Sequence, residues 1–321
     1  MPNQDTRLMD WGIHRVRFPL GERFADMWLY PSADGHVLFD TGLAGALTST
    51  VLPYLNNAGL NPGQIRDVVV SHLDIDHCGD VGAVSDVLPE ANVIAHEGDV
   101  PAIASWDVFL RERGDSFAAG WGVDESKAAI DWMHDVFDPG PVDTVITTDV
   151  RIAGSRNLEI WHVPGHSHGH TAIMDHDNNV LSISDAILGR AVPLANGDHA
   201  FPPTYRHVDD YYATIARVRA AAPEVLLTAH YGDYSGDAVG AFLDESEMFA
   251  NSVEQATMDA IDAGQQTLTE IVDWVNPRIA TWPVEGTRTA MAFPVAGHIE
   301  RAHARGVLRR EEGPEGWRWV R

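Results

Sequence analysis

"SHLDIDHCGD" (residues 71–80) follows directly on the apolar run "RDVVV" and holds two histidines and three aspartates within ten positions. The β-branched run reads as a short buried strand. Charged groups at the end of such a strand are costly to bury without partners. Residues 72, 74 and 76 alternate along the chain, so an extended backbone would turn His72, Asp74 and Asp76 the same way. His77 would then face another direction and serve a different partner.

Three later strand-like runs end in the same manner. "EIWHVPGH" arrives at His166, "VLSISD" at Asp185 and "VLLTAH" at His230. Functional side chains gather at strand ends because the sheet fixes their positions while the loops leave room for a ligand. Any one of these histidines alone is more simply a hydrogen-bonded structural residue. Together, His72, Asp74, Asp76, His77, His166, Asp185 and His230 form a set with the chemistry of metal ligands. Histidine and carboxylate suit zinc, iron or manganese, and no thiolate is needed. An aspartate such as Asp185 can bridge two cations, which at roughly 3.5–4 Å apart would share a hydroxide and polarise a substrate oxygen.

At these residues the sequence resembles the metallo-β-lactamase-fold hydrolases. Their pattern is a His-x-His-x-Asp-His motif, a histidine in Pro-Gly-His, a bridging aspartate and a final histidine. Here these are "HLDIDH", "PGHSHGH", "SISDAI" and "LTAHYG", with "LFDTG" (38–42) upstream. The resemblance spans about residues 10–245. It implies an α/β fold, the αββα sandwich, with a dinuclear site at one edge. It places His72, Asp74 and His166 on a first metal, Asp76, His77 and His230 on a second, and Asp185 between them. The implied activity is hydrolysis of a small ester, lactone or thioester through a metal-bound hydroxide, with Asp76 also relaying a proton to the leaving group. Two divalent ions are expected, zinc by family habit. Asp74 stands where the family usually has histidine, which makes the first site harder and brings manganese or iron into view. Flavodiiron oxidoreductases of the same superfamily carry glutamate there. The tail here shows no phosphate-cradling glycine loop, so hydrolysis leads, with an iron oxidoreductase and a metal-dependent nuclease as alternatives.

The rest of the chain fits a mixed α/β domain. "MWLYPSADGHVLFDTG" reads as a hairpin turning at Asp34-Gly35, and "AGALTSTVLPYLNNAG" as a helix with Gly59 at its C-cap. A helix over "DDYYATIARVRAAA" is predicted to take Asp209 as N-cap. Residues 101–137 read as an insertion or lid, with Trp106, Phe109, Phe117 and Trp121 as a potential apolar wall. The expected division is a catalytic domain over 1–245 and a helical, winged-helix-like extension over 246–321, closing in a hairpin over "VLRREEGPEGWRWV". Substrate contacts are sought after Asp185, at His199, Tyr205 and Arg206. Leu188 replaces the tyrosine of quorum-type lactonases, which weighs against a homoserine-lactone substrate. Asp40 is read either as a partner orienting a ligand or as a turn residue, and His170 as structural.

Acids outnumber bases 47 to 22, giving a net charge of −25, and Lys127 is the only lysine. Such a chain repels nucleic acid and anionic membranes. Residues 267–321 carry eight Arg against seven Asp or Glu, which favours packing or homodimer formation over nucleic-acid binding. The single cysteine, Cys78, excludes an intramolecular disulfide and cysteine-cluster metal sites. No apolar run is long enough to span a membrane and no secretory signal is read at the start. The expectation is therefore a cytoplasmic enzyme of a small-molecule substrate.

Overall fold

A computed structural model describes residues 6–155, 157–314 and 316–321. Two six-stranded sheets face each other with helices on both outer sides. The first sheet runs in chain order through β1 (His14–Leu20), β2 (Arg23–Ser32), β3 (Gly35–Phe39), β4 (Ile65–Val69), β5 (Asn92–His96) and β6 (Thr144–Ile146). β1 to β3 form an antiparallel meander, and β3 to β6 are parallel. The second sheet contains β7 (Val150–Arg151), β8 (Leu158–His162), β9 (Thr171–Asp175), β10 (Val180–Ser184), β13 (Val225–Thr228) and β14 (Asp233–Ser235), with β10 and β13 as its parallel pair. Two short ribbons, β11 (Val192–Pro193) with β12 (His199–Phe201) and β15 (Arg309–Gly313) with β16 (Gly316–Val320), lie apart.

The apolar runs explain why both sheets are covered on both faces. Successive side chains on a strand point to opposite sides. In β2, Trp28 and Tyr30 enter the core between the sheets, while Met27 and Leu29 enter the core under the outer helices. In β13, Val225 and Leu227 face the first sheet and Leu226 faces outward. A strand buried on both sides has no polar alternation, which is why "DVVV", "VLSI" and "EVLL" read as continuous apolar runs.

The C-terminal helices Asp237–Asp262, Leu268–Ile279 and Arg288–Ala304 pack on the outer face of the second sheet. Leu181, Ile183 and Leu226 of that sheet share one core with Phe242, Phe249, Val253, Ile271, Met291 and Val295. The boundary expected at 245/246 falls inside the Asp237–Asp262 helix. Leu268–Ile279 begins in a capping box between Thr267 and Glu270. The expected hairpin is β15–β16, and its Trp319 stacks on Trp121 at 5.2 Å. The helix over 208–221 takes His207, not Asp209, as its N-cap residue. Asp209 sits in the first turn and binds Arg301 and Arg305 of the last helix. Among the described residues no helix is long and apolar enough to cross a membrane.

Candidate metal centre

All seven predicted ligands converge at one edge of the sandwich, in three overlapping groups: His72, Asp74 and His166; His72, His77 and Asp185; Asp76, His77 and His230. β4 delivers His72, and the chain stays extended to Asp74, whose φ and ψ are −69° and 141°. It then turns through a single helical turn, Ile75–Cys78, with the N–H groups of His77 and Cys78 donating to the Asp74 carbonyl at 2.9 Å. The alternating extended run expected for residues 72–76 therefore ends at Asp74. Asp76 and His77 reach the centre from the helical turn instead.

Two aspartates hold the loops. Asp40, in a left-handed conformation (φ 73°), accepts the Ser71 N–H at 2.7 Å through Oδ1 and contacts His77 Nδ1 at 2.8 Å through Oδ2. It thus orients a candidate ligand. Asp99 is fully buried and joins two ligand loops, accepting from Leu73 N (3.1 Å), Ser167 Oγ (2.6 Å) and Gly169 N (2.8 Å). Between these loops Gly165 adopts φ 140°, and a Cβ there would meet Tyr211 Cα at 2.6 Å. No other residue fits the Pro-Gly-His turn without displacing backbone.

Partners fix the ring orientations. His72 Nδ1 contacts Ser71 Oγ at 2.9 Å, and His230 Nδ1 contacts the Phe24 carbonyl at 2.8 Å. Ser184, at the end of β10 with φ 48°, donates to Asp40 at 3.0 Å and accepts from Ser71 Oγ at 3.1 Å. A buried chain from His72 through Ser71, Ser184 and Asp40 to His77 results. Holding Nδ1 this way turns Nε2 toward a metal. The Nε2 atoms of His72 and His77 and Oδ1 of Asp185 are buried without a hydrogen-bond partner.

The two halves of the centre differ. In the half made by Asp76, His77, Asp185 and His230, carboxylate and imidazole atoms lie 3.2–3.7 Å apart. Tetrahedral ligands about 2.1 Å from an ion are separated by roughly 3.4 Å, so a divalent cation fits. In the other half, Asp74 Oδ2 lies 3.6 Å from His72 Nε2 and 3.1 Å from His166 Nε2. Both Asp74 oxygens, however, are taken by Arg113, Nε to Oδ1 at 2.5 Å and Nη2 to Oδ2 at 2.6 Å.

Charge follows geometry. Burial would raise the Asp74 carboxyl, but Arg113, His166 and His72 outweigh it and hold it well below the usual carboxylate range. Burial and the neighbouring Arg113 push His166 down to about 4. Burial would lower His77, but Asp76, Asp40 and Asp185 outweigh it and raise the imidazole well above its ordinary value. Asp185, despite its burial, is held well below its ordinary value by His230 and His77. The Asp76–His77–Asp185–His230 half thus attracts positive charge strongly, as a cation site does.

A cavity of about 440 Å³ opens onto this cluster. Asp74, Asp76, Asp185 and His230 line it, and Phe109, Phe117, Trp132, Met133 and Phe293 are among its apolar lining residues. Thr204 lines it, whereas His199, Tyr205 and Arg206 do not. Tyr205 is buried against His298 (2.9 Å), Arg206 pairs with Glu300 (2.5 Å), and His199 contacts Thr281 (2.6 Å). The C-terminal extension takes all three side chains, a competition that sequence order does not reveal. Of the proposed aromatic wall, Phe109 and Phe117 line the cavity and Trp106 and Trp121 do not. His170 is buried and stacks on His72 at 4.5 Å. Arg113 escaped sequence reasoning, because nothing in "FLRERGD" marks one arginine over its neighbours.

Residues 20–230 match the family model of the metallo-beta-lactamase superfamily. The chain belongs to that superfamily. It is 24% identical over 259 residues to the acyl-coenzyme A thioesterase MBLAC2 of Bos taurus, covering 71% of this chain and 84% of that protein. The human MBLAC2 thioesterase gives 24% over 261 residues with the same coverage. Among solved structures, a metallo-beta-lactamase family protein from Thermus thermophilus aligns with a TM-score of 0.71 and 22% identity, covering 97% of this chain and 98% of that one. A beta-lactamase domain protein from Burkholderia ambifaria gives 0.66 and 18%, covering 97% and 92%. Membership of this superfamily makes the chain a metal-dependent hydrolase.

Proposed function

We propose that the substrate is an acyl thioester, with simple esters as the nearest alternative. The observation that carries this reading is the cavity, whose lining combines the apolar Phe109, Phe117, Trp132, Met133 and Phe293 with Asp76, Asp185 and His230. An acyl chain would bury its apolar surface on the apolar part of that lining and bring its carbonyl to the carboxylate–histidine edge. The thioesterase activity named for the MBLAC2 relatives supports the same class. A nucleic-acid substrate is disfavoured by the net charge of −25 and by the aspartates that line the cavity.

In this reading Asp76, His77, Asp185 and His230 hold a divalent cation, with zinc the first candidate among the metals that suit this donor set. The two-ion form would add a second cation at His72, Asp74 and His166. A bound ion supplies Lewis acidity and a water of lowered pKa. The protein contributes the rest. Asp76 turns Oδ2 toward His77 and His230, and its Oδ1 carries the proton from water to the leaving sulfur. Water's hydroxyl group thereby joins the acyl carbon as the carbon–sulfur bond breaks and the thiol departs protonated. Asp40 and Ser184 keep His77 in the orientation this requires.

A panel of acyl thioesters, esters and lactones tests the reading, with His77→Ala as control. Thioester turnover is expected to exceed that of the matched ester and lactone, and to fall at least about 1,000-fold in the variant. Equal thioester turnover by His77→Ala at full metal loading would sink it.

A further inference from the structure

Arg113 is the feature of the centre that its fold does not require. It sits on the π-helical turn Leu110–Gly114, in the segment between β5 and β6, and its side chain is largely buried. Six contacts fix it. Nε and Nη2 grip Asp74 in a two-point fork, at 2.5 and 2.6 Å. Nη2 also approaches His166 Nε2 and Thr204 Oγ1, each at 3.2 Å, and Nη1 donates to the Thr204 carbonyl at 3.4 Å. The Phe293 ring lies 4.0 Å from the guanidinium carbon.

These contacts bear on what the His72–Asp74–His166 half can hold. A forked guanidinium satisfies both oxygens of its carboxylate and neutralises it. It also stands beside His166 Nε2, an atom that a cation in that half would need. Arginine keeps its charge at any working pH, so a divalent ion there would meet a fixed like charge at close range. Among the described residues, the other half has no such occupant. His77 Nε2 and Asp185 Oδ1 lack hydrogen-bond partners. His72 Nε2, also unpartnered, groups with His77 and Asp185 as well as with Asp74, and so is free to serve that side.

We propose that Arg113 takes the place of the first-site cation, so that the chain holds one divalent ion, in the Asp76–His77–Asp185–His230 half. The guanidinium supplies there the positive charge that a second ion would bring. Asp74 is then a partner of Arg113 and not a metal ligand, which accounts for a carboxylate where the family pattern has histidine. The inference rests on the hydrolase reading only in taking the centre to be metal-loaded.

Metal counting tests it. The full chain is saturated with Zn²⁺, freed of unbound ion by desalting, and assayed for zinc per chain by mass spectrometry, with calorimetric titration of the stripped protein alongside. One zinc per wild-type chain is expected, rising to two in Arg113→Met, where the fork is gone but the stem remains. Asp74→Asn is expected to stay at one and provides an independent arm should Arg113→Met fail to fold. Two zinc ions per wild-type chain would overturn the assignment, as would loss of the bound ion in Asp74→Asn or a count of one in folded Arg113→Met. No zinc in any of the three, with Mn²⁺ and Fe²⁺ likewise left unbound, would instead overturn the hydrolase reading itself.

Discussion

Ser184 shows how much of the centre depends on groups that would touch no metal. Its hydroxyl lies 3.0 Å from Asp40 Oδ2, 3.1 Å from His77 Nδ1 and 3.1 Å from Ser71 Oγ, in a backbone conformation (φ 48°) that serine seldom adopts. Residues that orient metal ligands commonly account for 10–100-fold in metal affinity. Ser184→Ala is therefore expected to weaken zinc binding by about tenfold with the fold intact, measured by competition with a chromophoric chelator. Unchanged affinity would remove Ser184 from the positioning chain. At this scale the candidate ligands were legible, because histidine and aspartate closing four apolar strands need partners that ordinary hydrogen bonding rarely supplies four times over. Asp99 and Arg113 were not. Asp99 acts through backbone contacts up to 70 residues away, and Arg113 meets Asp74 across 39 residues. That Tyr205, His199 and Arg206 do not line this cavity was hidden for a related reason, since the residues they contact lie in the C-terminal extension.

At the scale of elements, β4, β8, β10, β13 and both hairpins followed from their apolar runs and turn residues, whereas short or mixed strands such as β1, β6, β7 and β14 carry no such run. The single turn at Ile75–Cys78 did not follow either, because alternation over 72–76 is compatible with extended chain until the packing of Ile75 and Cys78 into the outer core closes the turn. The long helix over 237–262 was likewise hidden, its apolar stripe being satisfied by the second sheet and by the helices after it. The last helix, Arg288–Ala304, also builds the cavity, through Thr289, Ala290 and Phe293. If that wall holds an acyl chain, Ala290→Trp shortens the space available. kcat/KM for a long-chain thioester is expected to drop about tenfold relative to a two-carbon acyl substrate. A parallel drop for both chain lengths would place the acyl group elsewhere.

Taken whole, the molecule is a sandwich whose C-terminal helices share a core with its second sheet, and His298 ties the two parts. It is buried in the last helix, and its Nε2 meets the Tyr205 hydroxyl at 2.9 Å. Burial, aided by Arg301 and opposed by Asp209, pushes its pKa down to about 3. In the unfolded chain the same imidazole titrates near ~6.5. Below that pH the unfolded state binds a proton that the native state refuses, so this residue's contribution to stability declines as pH falls from about 6.5 toward about 3. Denaturant titrations should show the stability of wild type falling toward that of His298→Gln across this window. A difference independent of pH would contradict a neutral buried imidazole.

We propose that this superfamily fold works here as a metal-dependent thioesterase. The most direct measurement is thioester hydrolysis by the full chain before metal removal, after chelation, and after zinc is returned. Turnover is expected to disappear with the metal and to come back on reloading, with the fold unchanged by circular dichroism throughout. Hydrolysis that continues undiminished in the stripped, folded protein would contradict the claim.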